Sequence, residues 1–247
     1  MRRERSYIDY LEYSKWSELE PSDYELGVAM PPYAHDGFEK KESGLPLPDP
    51  LAFRPRLPEF LPLARSRRSS RSHGGFPLGL AELSFILYCA DGIHEVKPDK
   101  RTKRTVPSAG CRHSFDLFVI ANDIEKVERG IYRYDAYANM LFLSDRTDPD
   151  FGARLEEACV KQSFVGLSGA VIAISCKRHR TEWLYGRRSW RYLFMESGHI
   201  SQMIALASTA VGYGSCAVGA FDDDRLHDLL GLPADSDVLS LSTVGRP

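Results

Sequence analysis

The chain has 247 residues, 43% of them apolar, and its 32 basic residues nearly balance 34 acidic ones. Such a chain can bury a sizeable core in one large or two small domains, and its near-neutral charge argues against a general nucleic-acid binder, which needs a net basic face. No apolar run approaches the roughly 18 residues of a membrane span, and the N-terminus M-R-R-E-R-S-Y-I-D-Y lacks an apolar signal core, so a soluble, cytoplasmic protein without a membrane partner is expected.

Residues 1–62 hold most of the fifteen prolines and little helical periodicity. They read as an extended arm with one short helix around Tyr7–Trp16, ahead of a folded unit at 63–247. Tyr7, Tyr10, Tyr13, Trp16, Tyr24 and Tyr33 favour a wrap over a neighbouring subunit, because a disordered tail is normally poor in aromatics. Leu80, Leu83, Ile86 and Leu87 then recur at helical spacing, with Gly92 as the stop. Leu117–Ile120 and Gly130–Tyr134 read as strands. A helix over Ala153–Gln162 leads to an apolar strand at Ala170–Ser175. Tyr192–Val211 is the strongest helix. Leu193, Ile200, Ile204, Ala207 and Val211 form its apolar stripe, and Glu196, His199 and Gln202 mark a polar face. Asp222–Asp224 starts a last helix that Gly231 stops, and Val238–Val244 is a final strand. Helices around four or so central strands make an α+β fold.

Five cysteines, an odd number with no C-x-x-C pair, argue against a disulfide framework or a zinc site and suit a reducing cytosol. H-E-x-x-H, P-loop and G-x-S-x-G motifs are absent, so no metal is expected. The basic residues cluster at Arg65–Arg71 and Lys177–Arg191, which suggests local anion sites, and at Lys100–Arg104, which reads as a solvated face. Within the first cluster, Arg67, Arg68, Ser69 and Arg71 offer charged forks and a hydroxyl suited to a phosphate. Pro107-Ser108-Ala109-Gly110 and Val218-Gly219-Ala220 are small enough for backbone N–H groups to approach the edge of a flat ring. Gly212 and Gly214 do not form a dinucleotide fingerprint: no third glycine follows, and the segment leaves a helix rather than entering one. Together these blocks read as a site for flavin mononucleotide (FMN).

R-R-S-S-R, L-A-E-L-S-F-I-L-Y-C-A-D-G, P-S-A-G, G-I-Y-R-Y-D, Y-G-R-R-S-W-R-Y-L-F-M-E-S-G-H-I-S-Q-M-I-A-L-A, V-G-A-F-D and the closing V-G-R-P carry a resemblance. From Arg65 onward the chain resembles the FMN-dependent nitroreductase family, and within it the streptolysin-type (SagB-like) peptide dehydrogenase branch. The resemblance implies a mainly antiparallel sheet flanked by helices, in an intertwined homodimer with FMN sites at its interface. It places Arg67, Arg68, Ser69, Arg71 and Arg246 at the phosphate and ribityl chain. Pro107, Ser108, Ala109 and Gly110 fall along one side of the ring. Val218, Gly219 and Ala220 fall on the other, where a backbone N–H meets the flavin N5.

The resemblance also singles out Tyr185. Azoline-oxidising members of the branch carry a Lys-Tyr pair before the Gly of Y-G-x-R, as the base that accompanies hydride removal. Here the pair is Leu184-Tyr185, so the tyrosine stays and the lysine is gone. A phenol of pKa roughly 10 needs a nearby cation to serve as a base, and Arg187, Arg188 or Arg191 could supply it; a packing role for Tyr185 stays open. His199 is the next candidate, with a structural role as the alternative. The expected activity is an FMN-dependent oxidation of a peptide or small natural-product intermediate, such as azoline to azole. A nicotinamide-fed reductase and a non-catalytic flavin-fold partner are the alternatives.

Overall fold

The computed structural model describes residues 6–31 and 44–247. Seven strands form one sheet in the order β1 (Leu45–Pro46), β6 (Met140–Arg146), β5 (Gly130–Asp135), β4 (Phe115–Ala121), β7 (Ala170–Lys177), β9 (Ser236–Gly245), β8 (Gly214–Val218). Every neighbouring pair is antiparallel. A separate hairpin joins β2 (Ile93–Val96) to β3 (Thr102–Arg104).

The central strands are apolar on both faces, and their side chains alternate between two cores. Leu117, Val119, Ile172 and Ile174 point to the side covered by α3 (Leu80–Asp91) and α7 (Ser189–Ala210). Phe118, Ile120, Val171 and Ala173 point to the side of α4 (Phe151–Ala158), α5 (Phe164–Leu167) and α8 (Asp223–Leu229). Each fully buried Leu, Ile or Val contributes about 1.5–3 kcal/mol, so this double-faced core carries the fold.

The expected helices are present with shifted ends. α3 stops at Gly92, yet φ there is −63°. Glycine is required because a Cβ would sit 2.3 Å from the Tyr88 ring, and not for a left-handed turn. α4 ends at Ala158, short of Gln162, since Val160 and Lys161 take φ of 54° and 59° and turn the chain. α8 is capped as expected: the Asp222 carboxylate accepts the Arg225 N–H at 3.1 Å, and Gly231 at φ +60° ends it. β1, β2, β3, β6, β8, α2 (Phe60–Ser66), α5 and α6 (Arg178–Tyr185) were not expected, and seven strands replace the expected four or so.

The described parts of the arm fold onto their own chain. α1 (Ser6–Tyr13) and a 3-10 turn at Trp16–Glu18 lead to a segment fastened to α6, where the Tyr24 N–H donates to Trp183 O and Trp183 Nε1 donates to Val28 O, both at 2.9 Å. Tyr24 meets the Trp183 ring edge-on at 5.3 Å, and Arg188 lies 5.8 Å from the Trp16 ring centre. Tyr33 lies outside the described residues. Among those residues, no helix is long and apolar enough to cross a membrane.

Candidate functional site

One end of the candidate site begins where α2 (Phe60–Ser66) stops. The Arg67 N–H caps it by donating to Leu63 O at 3.1 Å, and Arg68 folds its guanidinium back onto the carbonyls of Arg65 (2.7 Å) and Arg67 (2.9 Å). Arg68 is therefore occupied by its own helix end, where the carbonyl dipoles favour a cation. Ser69 then forms a parallel bridge to Ser215 of β8, and the Ser70 N–H donates to Ser215 O at 2.9 Å. Gly214 permits this approach, since a Cβ there would lie 2.6 Å from Ser70 Cβ. The Gly74 N–H donates to Arg246 O at 2.7 Å, which brings the C-terminal arginine to the same edge. Arg246 lies over Tyr213 (5.5 Å) and Phe76 (5.7 Å), and Arg71 lies over Phe164 (5.9 Å). Ser69, Arg71 and Arg246 are exposed and Arg67 is half-buried, so Arg67, Arg71 and Arg246 present a basic edge.

The other end lies along the same strand. From Ser215 to Gly219 is four residues, or about 13 Å of extended chain, which suits the reach of FMN from its phosphate to its ring. A Cβ at Gly219 would meet nothing within 4 Å, so that edge is open, and Gln162 Nε2 steadies the loop by donating to Ala220 O at 2.8 Å. Val218 pairs with Leu241, and the next residue on β9, Ser240, meets the Ser197 hydroxyl of α7 at 2.9 Å. Beside Ser197 stands Glu196. It is buried, accepts the Ala109 N–H at 2.7 Å and the Ser108 hydroxyl, while Ser108 Oγ accepts the His113 N–H at 2.8 Å. Gly110, at φ +60° and ψ 18°, packs so closely that a Cβ would lie 2.5 Å from Leu184 Cδ2 and 3.2 Å from Tyr185 Oη. Pro107–Gly110, Tyr185 and Glu196 thus form one cluster. The Ser108 hydroxyl and Ala109 N–H, expected at a ring edge, both donate to Glu196.

Burial pushes the Glu196 carboxyl up to about 7, against the opposing Ala109 N–H and Ser108 hydroxyl. Burial also raises the Tyr185 phenol, helped by Tyr192, Glu196 and Cys111. The cations expected to lower that phenol point elsewhere. Arg187 pairs with Glu20 at 2.8 Å, Arg188 donates to Tyr192 Oη (3.0 Å) and Ser14 O (2.8 Å), and Arg191 donates to Ser14 Oγ (2.8 Å) and Leu11 O (2.6 Å). His199 is exposed on α7 and makes no hydrogen bond or ion pair among the described residues, so it stands apart from the cluster. Glu196 is the residue that sequence reasoning did not single out, grouping it with His199 and Gln202 on a polar face, whereas it is buried and His199 is exposed.

A family model described as Nitroreductase family matches residues 64–246. The chain belongs to the nitroreductase family. This member is 37% identical over 182 residues to MJ1384 of Methanocaldococcus jannaschii, named as a nitroreductase, covering 73% of this chain and 87% of that one. It is 25% identical over 228 residues to the trifolitoxin-processing protein TfxB of Rhizobium leguminosarum bv. trifolii, covering 84% of this chain and 58% of TfxB. Its fold matches a chain of the E. coli microcin synthetase McbBCD complex solved with truncated pro-MccB17 bound. That match has a TM-score of 0.61 and 15% identity, and covers 100% of this chain and 99% of the other.

Proposed function

We propose that this nitroreductase is an FMN-dependent dehydrogenase that removes two electrons from a peptide or related natural-product intermediate. The observation that carries the reading is a basic edge and an open glycine edge one strand-length apart at the two ends of β8, together with a cluster of half-buried Tyr185 and buried Glu196. Arg67, Arg71 and Arg246 would hold the phosphate, and the backbone of Val218, Gly219 and Ala220 would meet the ring. Bound FMN supplies the two-electron acceptor. The chain's own task is the proton: the Tyr185 phenol would pass its own proton to the Glu196 carboxylate, ionised above neutral pH, as its Oη takes one from the substrate. The names of TfxB and of the microcin synthetase support a peptide as the substrate.

The active unit in this reading is a cytoplasmic homodimer. Phe60 and Leu61 of α2 and Phe194 and Met195 of α7 are all more than half exposed, an apolar set that a second copy would cover. The name of MJ1384 favours a second reading, a nicotinamide-fed reductase. Two measurements separate and test them. Purified protein should be yellow and release FMN without FAD, and Arg67→Ala with Arg71→Ala should strip the pigment while leaving the fold intact. Mass spectrometry of treated peptides should show the loss of two hydrogens; rapid bleaching by NADH with a gain of two would support the reductase. Colourless protein that takes up no added FMN refutes both.

A further inference from the structure

The segment from Asp9 to Glu25 crosses α6 and the start of α7 as a strap, and two cavities open on either side of its Pro21–Ser22 turn. One, of about 780 Å³, has Tyr10, Tyr13 and Trp190 in its walls. The other, of about 420 Å³, is walled by Trp16, Tyr24 and the Leu184-Tyr185 pair. Both volumes lie in the range of ligand sites, and the smaller one reaches the tyrosine that the proposed chemistry uses.

The charge of this double cavity is the reverse of what the arginine-rich sequence around it suggests. Arg188 and Arg191 are turned onto the strap's Ser14 and Leu11, and Arg187 is held by Glu20. Among the described residues, the walls carry five acidic residues, Asp9, Asp23 and Glu182 in the larger cavity and Glu20 and Glu25 in the smaller, against one arginine, Arg187. Glu25 is tied to the Ser22 N–H and hydroxyl at 2.8 and 2.9 Å. Asp9, Asp23 and Glu182 make no ion pair among the described residues. Burial raises the Glu182 carboxyl, the more distant charges of Arg178 and His179 opposing it and Asp237 and Asp23 adding to it. Tyr10 Oη is buried beside the same cavity with no partner among the described residues. Aromatic walls and unpaired carboxylates share one complement: a cation that stacks on the rings while its donors meet the carboxylates.

We infer that the strap and the end of α6 select a peptide substrate by a cationic residue, arginine or lysine, next to the position presented to Tyr185. The reacting residue occupies the smaller cavity and its basic neighbour the larger, with Pro21–Ser22 as the wall between them. This inference rests on the peptide-dehydrogenase reading for what Tyr185 does, but the binding it describes needs no turnover.

The test uses the full chain and two fluorescein-labelled peptides, carboxyfluorescein-Gly-Arg-Phe-Arg-Gly-amide and the same peptide with Glu for Arg. Binding is followed by anisotropy, and flavin content is read in the same samples. The arginine peptide should bind about tenfold or more tighter than the glutamate peptide at low salt, with the margin shrinking as screening grows. Asp23→Asn with Glu182→Gln should cost the arginine peptide roughly tenfold, since each removes one modest ion pair, and should leave flavin content unchanged. Asp9→Asn with Asp23→Asn, both on exposed residues, gives a second variant should Glu182 matter to folding. Equal binding of the two peptides, or wild-type affinity in both variants, overturns the inference. So does arginine-peptide binding seen only after residues 1–5 are deleted, since the chain's own M-R-R-E-R end would then be the occupant. Colourless protein that still discriminates supports the cavity and sinks the flavin reading; yellow protein that does not discriminate does the opposite.

Discussion

Glu196→Gln isolates the electrostatics of the candidate site. The residue is 5% exposed, and its carboxyl is pushed to about 7 from an ordinary 4.5. The folded chain therefore holds this proton to higher pH than the unfolded chain does. Below the unfolded value both states are neutral and the group contributes nothing. As pH climbs from there toward 7, the unfolded chain ionises first and stability falls; above 7 the loss is complete. At 1.36 kcal/mol per pKa unit, that loss is about 3 kcal/mol. Glutamine cannot ionise, and its carbonyl can still accept the Ala109 N–H, so the variant should escape this slope. Urea unfolding of both proteins between about pH 5 and about pH 8 measures it. The stability difference should move toward the variant by about 3 kcal/mol across that range, or roughly 6–12 °C in Tm for a chain of this size. Asp91, raised to about 6 by burial and opposed chiefly by Arg104, titrates in the same direction but is present in both proteins. Parallel pH profiles for wild type and variant would refute the assignment of a strained, near-neutral carboxyl at this position.

Tyr185→Phe should retain FMN yet lower turnover by roughly 10²- to 10⁴-fold, and Leu184→Lys, which sets an ammonium beside the phenol, should move the pH optimum down; near-normal turnover in the phenylalanine variant rules Tyr185 out. Gly110→Ala should cost about 1–3 kcal/mol, for its left-handed backbone and for crowding Leu184, and adding Leu184→Ala should return part of that loss in the same unfolding assay. Sedimentation should show a dimer that Phe194→Glu dissociates, while a wild-type monomer with bound FMN would contradict a shared site.

Much of the fold was legible because its strongest elements obey one period. β4 and β7 each hold a five-residue apolar run, 117–121 and 170–174, and α7 repeats Leu193, Ile200 and Ile204 over many turns. The missed elements lack that signal. α6 reads R-H-R-T-E-W-L-Y, a polar run held by contacts with the strap, and β8 is G-S-C-A-V, too short and small to stand out. Glu196 was misplaced for a subtler reason. It lies three residues after Leu193 and four before Ile200, on the apolar stripe itself, so spacing alone marks it as buried; its polarity outweighed its position. The basic run at 177–191 misled in the opposite sense. A sequence shows where charge is, and only the fold shows that backbone carbonyls of a distant segment absorb it.

Among the described residues, each border of the main sheet is covered in part by the chain itself. On one side the outermost strand is the two-residue β1, ending at Pro46, which has no N–H to offer. On the other, Ser69 and Ser70 lie against β8 and take up its Ser215 carbonyl. A sheet with free borders invites pairing with another molecule and, from there, fibres. Here that route is narrowed at both ends, which favours association between copies through the helical surfaces, where shape and side chains rather than bare backbone decide the partner.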